Sequence, residues 1–134
     1  MRAAARAIAV GAAFVLSTTP ALAEGVDGTQ TLVCDLAEAA QCDGVAECED
    51  VTALEIDLPP VLLVDFAQKQ LVSEDGGRTS PILSAETLDG VLLIQGNRNG
   101  RGWTMVIDRV TGHLSAAVAD ADGAFVLAGA CTTR

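Results

Sequence analysis

Beyond residue 23 the chain alternates apolar and polar positions, and turn residues punctuate it roughly every 8–12 positions. The clearest stretch is residues 103–118. Trp103, Met105 and Ile107 alternate with Thr104, Val106 and Asp108, and Leu114, Ala116 and Val118 resume the apolar row. Between them Arg109-Val110-Thr111-Gly112 fits a type I turn closed by a left-handed glycine, with Asp108 accepting backbone hydrogen bonds inside it. Residues 120–123 make the next turn, and residues 124–132 the last strand, with Phe125, Leu127, Gly129 and Cys131 on one face. Upstream, residues 29–36 read as a strand whose apolar face holds Leu32, Cys34 and Leu36. Residues 61–66 and 70–73 read as an antiparallel pair around a turn at 67–69, and residues 91–95 as a buried strand. Other stretches are less regular. Residues 37–50 read as an acidic loop, with a brief helical turn at 36–41, and residues 51–58 as a strand stopped by Pro59-Pro60. Residues 73–80 read as a loop, 81–85 as a short edge strand, Asp89-Gly90 as a turn and 96–102 as a flexible hairpin connection.

This pattern predicts one all-β domain over residues 24–134: an antiparallel meander of about seven or eight strands that closes into a small barrel, with a two-sheet sandwich as the alternative. Cysteines sharpen it. Cys34 lies on the apolar face of the first strand and Cys131 on that of the last, so a Cys34–Cys131 bridge would join neighbouring strands and remove two exposed edges. Cys42–Cys48 would then pin the acidic stretch between them.

The first 23 residues carry a separate message. Arg2 and Arg6 precede an apolar run at residues 7–16, Pro20 breaks any helix, and Ala21-Leu22-Ala23 is a small-residue cleavage site. The run falls short of the ~20 residues that a membrane span needs. Residues 1–23 are therefore expected to be a signal peptide, and the mature chain, starting at Glu24 rather than at a lipidated cysteine, a soluble periplasmic or secreted protein. Four cysteines in an oxidising compartment argue for two disulfides rather than thiol chemistry.

Loss of Arg2 and Arg6 leaves six basic residues against eighteen acidic ones, a formal charge of −12 on the mature chain. Such a balance argues against nucleic acid and anionic membranes as partners. From Glu24 to Asp65 eleven acidic residues occur without one Lys or Arg. Their plain reading is a solvated face; the sharper one is attraction for a basic partner or a cation. Candidate chemistry is sparse. His113 is the only histidine, no G-x-S-x-G elbow surrounds any serine, and no carboxylate pair stands out, so no catalytic residues and no cofactor are expected. Asp120-Ala121-Asp122-Gly123 fails EF-hand spacing and reads as a turn. Asp43, Glu47, Glu49 and Asp50 are the better cation candidates, although no metal site is expected. Arg98 and Arg101 form the one locally basic loop, able to offer guanidinium forks to a carboxylate or phosphate, with Trp103 beside them as a core anchor.

The stretch GRGWTMVIDRVTGHLSA followed by AFVLAGACT resembles a set of small exported bacterial β-proteins of uncharacterised function, and its W-x-x-x-I-D-R-x-T-G-x-L element implies a hairpin. An early strand cysteine paired with one at the C-terminus resembles the membrane-bound C-type-lysozyme-inhibitor family, which implies a small eight-stranded barrel. The inhibitory S-G-x-x-Y stretch of that family is missing and the chain has no Tyr, so no inhibitory residue carries over. The expected function is binding rather than catalysis. A basic lysozyme-like or other envelope-directed enzyme is the first partner, and a small apolar ligand held as in lipocalins the second. A cation-binding or structural envelope role is the third. Oligomeric state is left open.

Overall fold

A computed structural model of the protein describes residues 9–15 and 26–134. Arg2, Arg6, Pro20, the Ala21-Leu22-Ala23 site and Glu24 lie outside the described residues. Among the described residues nine strands follow in order: β1 (Leu32–Gly44), β2 (Glu47–Val51), β3 (Val61–Asp65), β4 (Gln70–Ser73), β5 (Thr79–Leu88), β6 (Val91–Arg98), β7 (Arg101–Asp108), β8 (His113–Ala119) and β9 (Ala124–Thr133). Among the described residues the only helix is a 3-10 turn at Leu54–Ile56, and none is long and apolar enough to cross a membrane.

Every pairing is antiparallel. Strands β3 to β9 pair in sequence, and β1 closes the ring by pairing with both β3 and β9, giving an eight-stranded barrel. One edge of β1 runs along β9 from Leu32↔Thr133 to Cys42↔Ala124. Its other edge is shared: Leu32 to Asp35 pair with β3, while Ala39 to Gly44 pair with β2, the one strand of these that lies outside the ring. The two-sheet sandwich is thereby excluded. Both expected disulfides form, Cys34–Cys131 directly across the β1–β9 seam and Cys42–Cys48 across the β1–β2 ribbon.

Several local expectations are corrected. Residues 36–41 are strand, not a helical turn, and the acidic stretch is a hairpin ribbon rather than a loop. The apolar-polar alternation breaks there because Ala37 is a bulge between Leu36↔Gly129 and Glu38↔Ala128. The bulge shifts the phase by one, so Ala39 points inward and Glu38 stays in water. It needs Gly129 opposite: a Cβ there would run into the Asp35 carbonyl. Of residues 51–58 only Val51, the end of β2, is strand. Thr52 and Glu55 form reciprocal hydrogen bonds, Thr52 N–H to Glu55 Oε2 (2.6 Å) and Glu55 N–H to Thr52 Oγ1 (3.3 Å), which start the 3-10 turn. Residues 81–85 belong to the ten-residue β5, which is paired on both edges. The connection at 96–102 is ordered almost throughout, with Asn99 and Gly100 alone forming the turn at φ 50° and 78°.

The barrel has a plugged end and an open end. Leu32, Val64, Leu92, Ile107 and Leu114 are buried near the plugged end. Val26 covers it, held by its N–H on the Arg109 carbonyl (3.2 Å) and by Arg109 Nε on its own carbonyl (3.0 Å). At the other end lie the turns 74–78, 99–100 and 120–123, the β1–β2 ribbon and the 3-10 segment.

Candidate functional site: a barrel mouth with an arginine rim

Strands β6 and β7 build one wall of the open end. Their inward rows pair as Leu92↔Ile107, Ile94↔Met105, Gly96↔Trp103 and Arg98↔Arg101. Apolar side chains thus fill the lower layers, and two arginines face each other at the top. The Trp103 indole lies against Gly96, where a Cβ would come within 2.7 Å of Trp103 Cε2 and 2.5 Å of the Pro81 carbonyl oxygen. Its Nε1–H donates to Ser80 Oγ (2.9 Å), whose hydroxyl is 3.4 Å from the Asn97 carbonyl.

A cavity of about 400 Å³ occupies this end. Leu36, Leu62, Leu71, Trp103, Met105, Ala116, Val118 and Leu127 supply its apolar wall. Leu58 and Pro59 from the 3-10 segment line one side, and Arg78, Arg98, Asn99, Arg101 and Asp57 line the mouth. Among the described residues no buried side-chain polar atom lacks a hydrogen-bond partner, so the buried polar groups of the wall are already engaged. The rim is where charge remains.

The three rim arginines differ. Arg78 donates from Nη1 to the Asp57 carbonyl (2.9 Å) and to Asp57 Oδ1 (3.1 Å), tying the β4–β5 turn to the 3-10 segment. Asp57 is left-handed (φ 56°) and ends that segment. Arg101 Nε lies 3.4 Å from Asp120 Oδ2, and its guanidinium sits 5.3 Å from the Phe125 ring centroid. Backbone N–H groups of Asp122 and Gly123, with Arg101, hold the Asp120 carboxyl below its usual range. Arg98 is exposed and, among the described residues, forms no ion pair.

The structure brings the expected binding residues Arg98, Arg101 and Trp103 to one cavity, with Trp103 buried as an anchor. Pattern reading missed Arg78, Asp57, Met105, Ala116 and Leu127 as co-lining residues; they come from strands and turns that only closure of the barrel assembles. Asp43, Glu47, Glu49 and Asp50 are exposed on the β1–β2 ribbon, and strand alternation puts Asp50 on the face opposite Glu47 and Glu49. Among the described residues no three His, Cys, Asp or Glu converge as a metal site. Asp120 to Gly123 form a turn closed by Asp120 N–H to the Gly123 carbonyl (3.0 Å). His113 begins β8, exposed, at the plugged end. No family model, no curated protein and no solved structure matches the chain.

Proposed function

We propose that the protein is an exported binding protein whose barrel mouth carries a small apolar or amphipathic ligand. The observation carrying this reading is the cavity of about 400 Å³, apolar in its depth and charged only at its rim. That volume is in the range of small-molecule sites, ~300–1,000 Å³, and so is the pattern of an apolar wall with few polar groups. Two disulfides suit an oxidising compartment, the periplasm or the outside of the cell. The test uses the neutral dye N-phenyl-1-naphthylamine with oxidised protein. Its fluorescence should rise saturably at one equivalent, and Ala116→Phe, which fills the cavity from β8, should abolish the rise while leaving the thermal melt in place. Unsaturable enhancement, or binding unaffected by Ala116→Phe, would overturn the reading.

A second reading rests on the β1–β2 ribbon. Residues 43–50 are all exposed, and Asp43, Glu47, Glu49 and Asp50 stand on a hairpin pinned by Cys42–Cys48. Such a ribbon suits a basic protein, a lysozyme-like enzyme being the concrete choice. Immobilised protein should then retain lysozyme at low salt and lose it when Glu47, Glu49 and Asp50 become amides; retention by the triple amide would refute it.

A further inference from the structure

We propose that the ligand of the barrel mouth is an amphiphile with one anionic head, its tail among Leu36, Leu62 and Met105 and its head held by Arg98 beside Arg101. This deepens the carrier reading and rests on it. Arg98 and Arg101 are direct cross-strand partners on the inward row, and like charges placed so repel. In a chain with eighteen acidic and eight basic residues, acids to relieve such a pair are abundant. Only half of the pair is relieved. Asp120 and the Phe125 ring take Arg101, Asp57 takes Arg78, and among the described residues no carboxylate is paired with Arg98.

Among the described residues Arg98 is thus the one guanidinium lining the mouth without an ion pair, and it stands over an apolar cavity. A cationic head would meet repulsion there, and a neutral one would leave Arg98 as it is. A carboxylate accepts the guanidinium fork with two parallel hydrogen bonds. Deeper in the cavity, Trp103 and Ser80 already satisfy one another, so the tail meets no polar group that needs a partner. At about 400 Å³ the cavity lies within the ~300–1,000 Å³ of small-molecule sites, room for a short acyl chain. Decanoate is of that size.

Trp103 is the only tryptophan, no Tyr is present, and its ring lines the cavity, so its emission reports occupancy. Oxidised protein is titrated at neutral pH with decanoate, with 1-decanol and with decyltrimethylammonium. Decanoate should change Trp103 emission saturably and bind at least about tenfold more tightly than the other two. Arg98→Gln should weaken decanoate by about tenfold, the worth of one charge-assisted contact, and leave 1-decanol unchanged. Equal affinities for decanoate and 1-decanol, or an Arg98→Gln variant that binds decanoate as the parent does, would overturn the anionic head while the carrier reading stands. If none of the three probes binds and the neutral dye does not either, both fall together.

Discussion

Gly96 is where a single atom decides the shape of the cavity wall. The Trp103 ring occupies the space that a side chain at 96 would take, and the Pro81 carbonyl stands 2.5 Å from the same point. The carbonyl is backbone and cannot step aside cheaply, so Gly96→Ala must push the indole away and break its bond to Ser80 Oγ. Overpacking of this kind costs about 1–3 kcal/mol. Chemical denaturation should show that loss together with a red-shifted Trp103 emission; an unshifted spectrum at full stability would contradict the packing. Asp108 illustrates the other kind of single-residue effect. Backbone N–H groups of Thr111 and Val110 both donate to its Oδ1 (2.8 Å each) and hold its carboxyl below the usual carboxylate range. A depressed folded-state pKa means stabilisation that is full at neutral pH and disappears as pH falls through that lowered value. Melting temperatures of the parent and Asp108→Asn should therefore differ most at neutral pH and converge in acid. Using the difference removes the relief of self-repulsion that acid brings to the other carboxylates alike. A gap that stays constant with pH would show that the charge of Asp108 has no part in it.

At the scale of elements, the two disulfides do unequal work. Cys34 and Cys131 are separated by 97 residues and Cys42 and Cys48 by 6. In the loop-entropy description the first constrains the unfolded chain by about 4–5 kcal/mol and the second by about 2. Melts of Cys34→Ala/Cys131→Ala and Cys42→Ser/Cys48→Ser should rank in that order, with the second pair still folded. A larger loss from the ribbon pair would mean that β2 supports the barrel rather than hanging from it. The seam bridge was legible because strict alternation in residues 29–36 and 124–132 put both cysteines on apolar faces. What pattern alone hid has physical causes. Ala37 bulges, so the alternation of β1 breaks phase at the point where the acids crowd, and the strand reads as finished. Residues 51–58 hold apolar positions at strand-like intervals. The Thr52–Glu55 spacing, a capping signal, instead marks the turn that carries Leu58 and Pro59 to the mouth. Arg98, Arg101 and Trp103 were visible because they are close in sequence. Arg78 was not, since its place on the rim depends on β4 and β5 joining the ring.

For the whole molecule the governing quantity is charge, and it gives the carrier and ribbon readings opposite signs. The chain has a formal net charge of −10. An anion about 20 Å from ten such charges in water meets ~2 kcal/mol of repulsion before screening. Salt shortens the reach of that field from ~30 Å at 0.01 M to ~10 Å at 0.1 M, whereas a guanidinium–carboxylate contact at Arg98 acts at bonding distance and is screened far less. Added salt should therefore speed the entry of decanoate, read by stopped-flow on Trp103, and alter its dissociation little. A basic protein approaching Asp43, Glu47, Glu49 and Asp50 is steered by the same field, so its association should slow steeply over the same range. Changing Glu47, Glu49 and Asp50 to amides should move the two in opposite directions again, faster for decanoate and slower for the protein. Decanoate entry that slows with salt would mean that the arginine rim, three of the six described basic residues, outweighs the field of the whole chain at the mouth. The acidic ribbon would then have no part in how a ligand arrives.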